Sequence, residues 1–134
     1  MPTQIDMATA AKTWRYARVL WELIRYDVRF ACRGLRGVRP GDASLSAHRT
    51  GSVEAESAIR EDVAAVAPFY WKPIRCLQRS IVIARLMRSH GIPAEVVIGY
   101  RAAPFFSHAW VEVGGRMVSD SPVYQKRLLV LERL

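Results

Sequence analysis

The sequence predicts an α+β fold in which a central helix, carrying a cysteine at its N-terminus, packs on a small antiparallel sheet and is preceded by N-terminal helices. Three observations support this prediction. Apolar residues recur in steps of three and four over residues 8–35, which is the period of an amphipathic helix. Residues 75–91 hold a second helical pattern that ends at Gly91, ahead of Pro93. Strand-like segments follow, and Gly114-Gly115 joins two of them in a hairpin.

The composition is that of an ordinary globular protein. The 134 residues suffice for one domain with a real hydrophobic core, and no apolar run approaches the roughly 18 residues that a membrane span needs. The N-terminus lacks the charged and apolar regions of a secretory signal, so we expect a bacterial-type cytoplasmic protein. Cys32 and Cys76 should both stay reduced there. No cysteine or histidine spacing suggests a metal site, and we expect no cofactor.

The net charge of +8 comes almost entirely from arginine. A basic balance of this size attracts an acidic partner, which is a nucleic acid, a membrane surface, or an acidic peptide or protein. The alternative is a solvated arginine surface that has no partner. Charge alone does not decide between these interpretations.

The first predicted helix carries an apolar stripe along one face. The side chains of this stripe are Trp14, Ala17, Trp21, Ile24, Val28, Ala31 and Leu35. Further apolar residues widen this surface beyond what one core contact needs. Two interpretations stay open. The stripe packs on the core, or part of it, with its aromatic residues, docks a partner protein.

Loop composition over residues 37–52 separates this helix from a second one. We expect the second helix over residues 53–67, with Ser52 as its N-cap and Pro68 as its terminator. Two glutamates fall in its first turn, where the helix dipole favours negative charge.

The central helix presents Cys76 in its first turn. Pro73 belongs in that turn or just before it, which fixes where the helix begins. The N-terminus of a helix supplies partial positive charge and unpaired N–H groups that favour a thiolate. The same N–H groups, including that of Cys76, are positioned to stabilise a tetrahedral oxyanion.

Cys76, His108 and Asp120 occur in the order helix, strand and next strand. A histidine close to the thiol forms a thiolate–imidazolium pair, and an acid on its far ring nitrogen fixes the imidazole tautomer. Taken singly, each residue has a non-catalytic interpretation: an inert buried cysteine, a core histidine and a turn aspartate. Together, in this order, they favour a Cys-His-Asp site. Residues 1–68 then form a helical region for partner docking and core packing, residues 69–134 form the catalytic core, and we expect one compact domain.

We expect strands over residues 94–100, 107–113 and 116–120, and either a strand or a short helix within residues 123–134. The turn between the second and third strands decides whether Asp120 reaches His108. A two-residue turn at Gly114-Gly115 would leave Asp120 on the opposite face of the sheet from His108, because side chains alternate along a strand. A three-residue loop would bring them together. We therefore expect an odd-length loop or a bulge, with Glu112 as the alternative acid if the turn is plain.

Two runs of residues carry a family resemblance. R-C-L-Q-R-S-I-V-I-A-R-L-M-R-S-H-G-I-P-A begins at Arg75, and S-H-A-W-V-E-V-G-G-R-M-V-S-D ends at Asp120. Over residues 71–120 the sequence resembles the transglutaminase-like leader peptidases of lasso-peptide biosynthesis. The resemblance implies a transglutaminase-like (papain-like) cysteine protease with Cys76 as the nucleophile, His108 as the general base and acid, and Asp120 as the orienting carboxylate.

The resemblance also implies a substrate and partners. Such an enzyme removes the leader from a ribosomally made precursor peptide at the leader–core junction. Family members of this size lack a leader-binding domain, work with a separate winged-helix leader-recognition protein, and pass the core peptide to an asparagine-synthetase-like cyclase. The candidate residues for binding substrate or partner are Trp14, Trp21, Trp71 and Trp110.

Three other functions stay open from the sequence. They are a non-catalytic peptide- or protein-binding module of the same fold, another acyl-transfer enzyme with the same triad, and an arginine-rich nucleic-acid binder. The last of these lacks a recognition motif, so we expect no nucleic-acid partner.

Overall fold

In a computed structural model, the chain is described over residues 4–38, 53–119 and 126–134. The helices are α1 (Gln4–Arg33), α2 (Leu35–Val38), α3 (Val53–Val66) and α4 (Cys76–Ser89), with a 3-10 turn over Ala67–Phe69. The strands are β1 (Ala94–Ala102), β2 (Phe105–Val113), β3 (Arg116–Met117) and β4 (Leu129–Arg133). They form one sheet in the order β3-β2-β1-β4, with antiparallel neighbours. The α+β architecture is therefore as predicted. None of the described helices is long and apolar enough to cross a membrane.

The limits of α4 follow from its sequence. Arg75 has an extended conformation and accepts the first helical hydrogen bond, from the N–H of Arg79 at 3.0 Å, so that Cys76 is the first helical residue. At the other end Gly91 has a φ of 78°, and the N–H of Ile92 reaches back to the carbonyl of Met87 at 3.0 Å. A positive φ favours glycine and completes this C-terminal cap. Both predicted ends of the helix are confirmed.

The sheet is centred on β1, which pairs with β2 along its whole length, from Ala94 opposite Val113 to Ala102 opposite Phe105. On its other edge β1 pairs with β4, with a change of register between Ile98 and Gly99. Residues 129–133 therefore form the strand that the sequence left undecided. The expected N-cap Ser52 lies outside the described residues.

One hydrophobic cluster joins the helices to the sheet. Its fully buried members come from α1, α3, α4, β1 and β2, and include Leu23, Val63, Met87, Val96 and Val111. Residues before and after position 68 therefore contribute to the same core. A second, smaller cluster of Val97, Trp110 and Leu128 covers the opposite face of the sheet. The alternation of Trp110 and Val111 assigns these two faces of β2.

Helix α1 packs on the core through a different face from the predicted stripe. The residues that turn inward are Tyr16, Val19, Leu23 and Tyr26. Acidic residues beside this face fix it further, because Glu22 pairs with Arg85 at 2.7 Å and Asp27 pairs with Lys72 at 2.5 Å. The described residues of the stripe, from Trp14 to Ala31, are exposed. The interpretation that this stripe packs on the core is therefore wrong.

The β2–β3 hairpin also corrects a prediction. Val113 pairs with Arg116, so Gly114 and Gly115 form a plain two-residue turn, with φ values of 59° and 79°. Positive φ at both positions is the type I′ geometry whose twist matches that of the strands. The expected odd-length loop is absent from this turn, and β3 ends at Met117 rather than at residue 120.

Candidate active site

Cys76 lies at the N-terminus of α4 as a half-buried free thiol. Because it is the first helical residue, its own N–H and those of the next two residues have no acceptor within the helix. These groups and the helix dipole favour a negative charge on the thiol and on an oxygen placed beside it. The position suits a nucleophile.

Helix α1 lies beside this thiol. Burial raises the pKa of the Tyr26 phenol, with further contributions from Asp27 and from Cys76. Asp27 accepts a hydrogen bond from the Tyr70 hydroxyl and pairs with Lys72, so the segment before α4 is held against α1.

Gln78, two residues after Cys76, also holds α4 against α1, through a buried side chain. Its amide nitrogen donates to the carbonyl oxygen of Leu23 at 3.3 Å, and the side chain is buried. A buried amide that is committed to this bond fixes the first turn of α4 on α1. The position of Cys76 thus depends on the N-terminal helix as well as on α4.

His108 lies in β2, opposite Gly99 of β1, and is half-buried. Its ring stacks between Phe106 and Trp110, with ring centroids at 6.3 and 6.4 Å. Gly99 is needed for this arrangement, because a Cβ atom there would lie 2.5 Å from the Cη2 atom of Trp110. A row of aromatic rings along one face of β2 therefore sets the orientation of His108.

Trp110 is held in turn by a buried carboxylate. Its indole Nε1 donates to Oε1 of Glu112 at 3.3 Å, and Arg133 of β4 donates to Oε2 at 2.7 Å. The hydrogen bond to Glu112 raises the pKa of Arg133. Glu112 does not replace Asp120 as the orienting acid, because four residues of strand separate it from His108 by about 13 Å. It supports Trp110 instead.

Helix α4, which carries Cys76, contacts both β1 and β2. The His108 ring lies on the face of β2 that carries Trp110, whereas the helices pack on the face that carries Val111. Asp120 lies outside the described residues, which end in this region at Ser119.

The chain leaves the strand ladder just before Asp120. The N–H of Val118 donates to the carbonyl of Val111 at 2.9 Å, but the N–H of Val111 donates to the hydroxyl oxygen of Ser119 at 2.7 Å. The prediction of an odd-length loop or a bulge in this hairpin is wrong, and the structure instead breaks the ladder at Ser119. Side chains alternate between the two faces of a sheet only while the strand stays in its ladder. Because the ladder breaks at Ser119, the plain turn does not determine the face of Asp120.

The four tryptophans proposed for binding have different environments. Trp14, Trp21 and Trp71 are 72%, 61% and 77% exposed, and the Trp71 ring lies 5.4 Å from Nζ of Lys72. Trp110 is fully buried. It offers no surface to a partner, so its proposed binding role is corrected to that of a support for His108. Sequence reasoning missed Tyr26 and Gly99, which carried no motif.

Among the residues that the structure describes, no three potential metal ligands lie together. Cys32, the other free thiol, is exposed near the end of α1, and α2 and α3 lie between it and α4 in the sequence.

Comparison with known proteins indicates the family of this chain. The family model of the transglutaminase-like superfamily matches residues 15–133. The Microcin J25-processing protein McjB of Escherichia coli is 34% identical over 90 residues, which are 65% of this chain and 43% of that protein. The match thus spans less than half the length of this relative. No solved structure matches the chain.

Proposed function

Because the chain belongs to the transglutaminase-like superfamily, we propose that it is a cysteine protease that removes the leader from a ribosomally made lasso precursor peptide. The observation that carries the proposal is the position of Cys76 as the first residue of α4, on a chain similar to a protein named for processing a microcin. His108 is the general base and acid, and Asp120 is the carboxylate that orients it.

The first half of the reaction forms an acyl-enzyme. The Cys76 thiolate attacks the scissile carbonyl carbon at the leader–core junction, and the N–H groups of the first turn of α4 stabilise the oxyanion. The C–N bond then breaks while the His108 imidazolium gives its proton to the departing amine. That amine is the N-terminus of the core peptide, and the leader stays on Cys76 as a thioester.

The second half regenerates the enzyme. His108, now neutral, takes a proton from a water molecule, which attacks the thioester carbonyl. The C–S bond breaks, the leader leaves as a carboxylic acid that gives its proton to solvent, and Cys76 returns as a thiolate beside an imidazolium. Each step uses only groups of this chain, the precursor peptide and water.

The proposed partners follow from the same family. They are the precursor peptide, a separate winged-helix leader-recognition protein and an asparagine-synthetase-like cyclase that receives the core peptide. We place the reaction in the bacterial cytoplasm, where thiols remain reduced. The leader-recognition protein would bind the leader and present the leader–core junction to Cys76.

Mass spectrometry of the products tests this function. The protein is incubated with a candidate precursor and leader-recognition protein, and the masses of the products are read. Two peptides that sum to the precursor plus one water, cut at the leader–core junction, are expected. An intact precursor, or cleavage that starts within the core, contradicts the proposal.

A non-catalytic binding module is the second candidate, and the exposed apolar residues of α1, among them Trp14 and Trp21, favour it. Thiol reactivity separates the two candidates. An activated Cys76 should react with iodoacetamide well below pH 8.5, the ordinary pKa of a cysteine thiol. Alkylation that begins only near that pH supports the binding module.

A further inference from the structure

Helix α1 has two apolar faces, and the core covers one of them. The inward face is that of Val19 and Leu23. The outward face, which we call the seam, consists of Trp14, Ala17, Trp21, Ile24, Val28 and Ala31, all exposed. Contiguous apolar surface of this kind is uncommon on a monomer and marks an interaction site.

The spacing of the seam indicates what covers it. Its members alternate steps of three and four from Trp14 to Ala31, which are the a and d positions of a heptad repeat. This 3.5-residue period is the pattern of a helix that packs along a second helix. The 30 residues of α1 extend for about 45 Å, so several heptads lie within one straight helix.

Large anchors and a cavity lie at one end of the seam. Trp14 and Trp21 are one heptad apart, and tryptophan is enriched among the residues that dominate binding energy. Beside Trp14, a cavity of about 360 Å³ opens between α1, α3 and the end of α4, with Val19, Ile59 and Leu86 in its lining. The cavity has room for an anchoring side chain of the partner.

The charge beside the seam is positive. Arg18 and Arg25 occupy successive e positions of the heptads, where a packed helix would place its own charged residues. Burial and the neighbouring guanidinium groups of Arg85 and Arg29 lower the pKa of Arg25, and the Glu22 carboxylate partly offsets this. An acidic partner would neutralise them.

The acidic residues Glu22 and Asp27 of α1 are held in ion pairs on the core side of the helix, and Arg25 also feels the charge of Glu22. Glu22 pairs with Arg85 and Asp27 pairs with Lys72, both beside the face that meets the core. A second copy of this chain would bring the same arginines together on two molecules of net charge +8. Such like-charge contact suppresses self-association, so a different, acidic chain fits better.

We infer that the seam docks an amphipathic α-helix of a partner protein, whose apolar stripe is flanked by acidic residues. The inference deepens the proposed function and rests on it for the partner's task, which is to present the precursor. Tyr26, on the same helix, lies beside Cys76. The first turn of α4 packs on the inward face of the same helix, through the bond from Gln78 to the Leu23 carbonyl, so a partner on the seam binds the helix that supports the nucleophile.

Binding of a synthetic helix tests the inference. The probe is a peptide of about four heptads with leucine at positions a and d and glutamate at e and g. Its affinity is measured by calorimetry for the wild type, Trp21→Gln, the double variant Arg18→Glu/Arg25→Glu, and the control Phe69→Gln, whose side chain is 89% exposed outside the seam. We expect both seam variants to bind about tenfold more weakly or worse, and the control to bind as the wild type does.

Two further measurements keep the result interpretable. Circular dichroism checks that the seam variants fold, which we expect because the substituted side chains lie at the surface. Cys76→Ala should bind the acidic helix with unchanged affinity while losing precursor cleavage. A failed cleavage assay with intact helix binding therefore counts against the proposed function alone, and the reverse result counts against the seam alone.

Other occupants give different outcomes. A peptide with lysine in place of glutamate that binds equally well overturns the inference. So does tighter binding to the precursor peptide or to vesicles of anionic phospholipid, since these would assign the seam to substrate or to membrane. Sedimentation equilibrium that shows a dimer of the wild type, lost in Trp21→Gln, would assign it to a second copy.

Discussion

The backbone N–H of Val111 donates to the hydroxyl oxygen of Ser119 at 2.7 Å, where a continuing antiparallel ladder would offer the carbonyl of Val118. The third strand thus leaves the sheet one residue before Asp120. A side chain supplies the hydrogen bond that the backbone gives up, so the buried N–H of Val111 stays satisfied. The alternation of side chains that the plain hairpin turn sets therefore ends at Ser119, before Asp120.

We predict that Ser119→Ala impairs catalysis as well as stability. Loss of the bond to Val111 should lower the free energy of unfolding by about 1 kcal/mol, measured by urea denaturation. Precursor cleavage should also slow, because the backbone that leads into Asp120 loses its anchor. Ser119→Thr keeps the hydroxyl and is the matched control. If Ser119→Ala cleaved the precursor at the wild-type rate, this hydrogen bond would not be needed to position Asp120.

Asp120→Asn tests the orienting acid itself. The amide cannot accept the imidazole proton in the same way or stabilise the imidazolium, so kcat should fall by about tenfold or more. The loss of the carboxylate should also lower the pKa of the alkaline limb in the pH profile of kcat/KM, where the imidazolium of the thiolate–imidazolium pair loses its proton. An unchanged rate together with an unchanged profile would remove Asp120 from the site.

Gly99 allows the Trp110 ring to reach its place beside His108. A Cβ atom at position 99 would lie 2.5 and 2.7 Å from two carbons of the indole ring. Gly99→Ala should therefore cost about 1–3 kcal/mol of unfolding free energy and shift the tryptophan fluorescence. Adding Trp110→Phe, which removes those two carbons, should cost less than the sum of the single variants. Additive losses would show that the ring is not the obstacle.

Substitution of the buried Glu112 should lower the stability more than substitution of Glu95, an exposed carboxylate that pairs with the same arginine. Glu112→Ala leaves the Trp110 N–H without its acceptor and Arg133 without its buried partner, so we expect a loss of about 1–3 kcal/mol. Glu95 also pairs with Arg133, at 3.3 Å, but it is exposed, and Glu95→Ala should change the stability by less than about 0.5 kcal/mol. Equal losses in urea denaturation would contradict this difference.

Alkaline pH should weaken the contact between α1 and the segment before α4. Burial and the hydrogen bond to Asp27 raise the pKa of the Tyr70 phenol above its ordinary value of 10.0. A raised pKa means that the folded state favours the neutral phenol, so its stabilisation is present below pH 10 and is lost as the pH rises through the folded pKa. Tyr70→Phe should reduce this decline in unfolding free energy. Parallel declines would show that Tyr70 is not responsible.

The ends of α4 could be predicted because local chemistry determines them. A proline before Cys76 and a glycine in the left-handed conformation at position 91 act within one turn of the helix. The order of Cys76 and His108 on a helix and a strand was readable for the same reason. These features need no knowledge of what packs against them.

The inward face of α1 could not be predicted from periodicity, because the helix is apolar on two sides. The stripe from Trp14 to Ala31 has the more regular spacing, yet the core takes Val19 and Leu23. The pairing of Glu22 with Arg85 of α4 fixes that choice, and such a long-range contact is invisible in the spacing. The bond from Val111 to Ser119 was missed similarly, since it replaces a backbone acceptor by a side chain.

Precursor cleavage by a matched pair of cysteine variants tests the nucleophile. Cys76→Ala and Cys32→Ala each remove one of the two thiols, and both are assayed by mass spectrometry with the leader-recognition protein present. We predict that Cys76→Ala yields no cleaved leader, while Cys32→Ala cleaves at the wild-type rate. Full cleavage by Cys76→Ala would contradict the assignment of this chain as a cysteine protease.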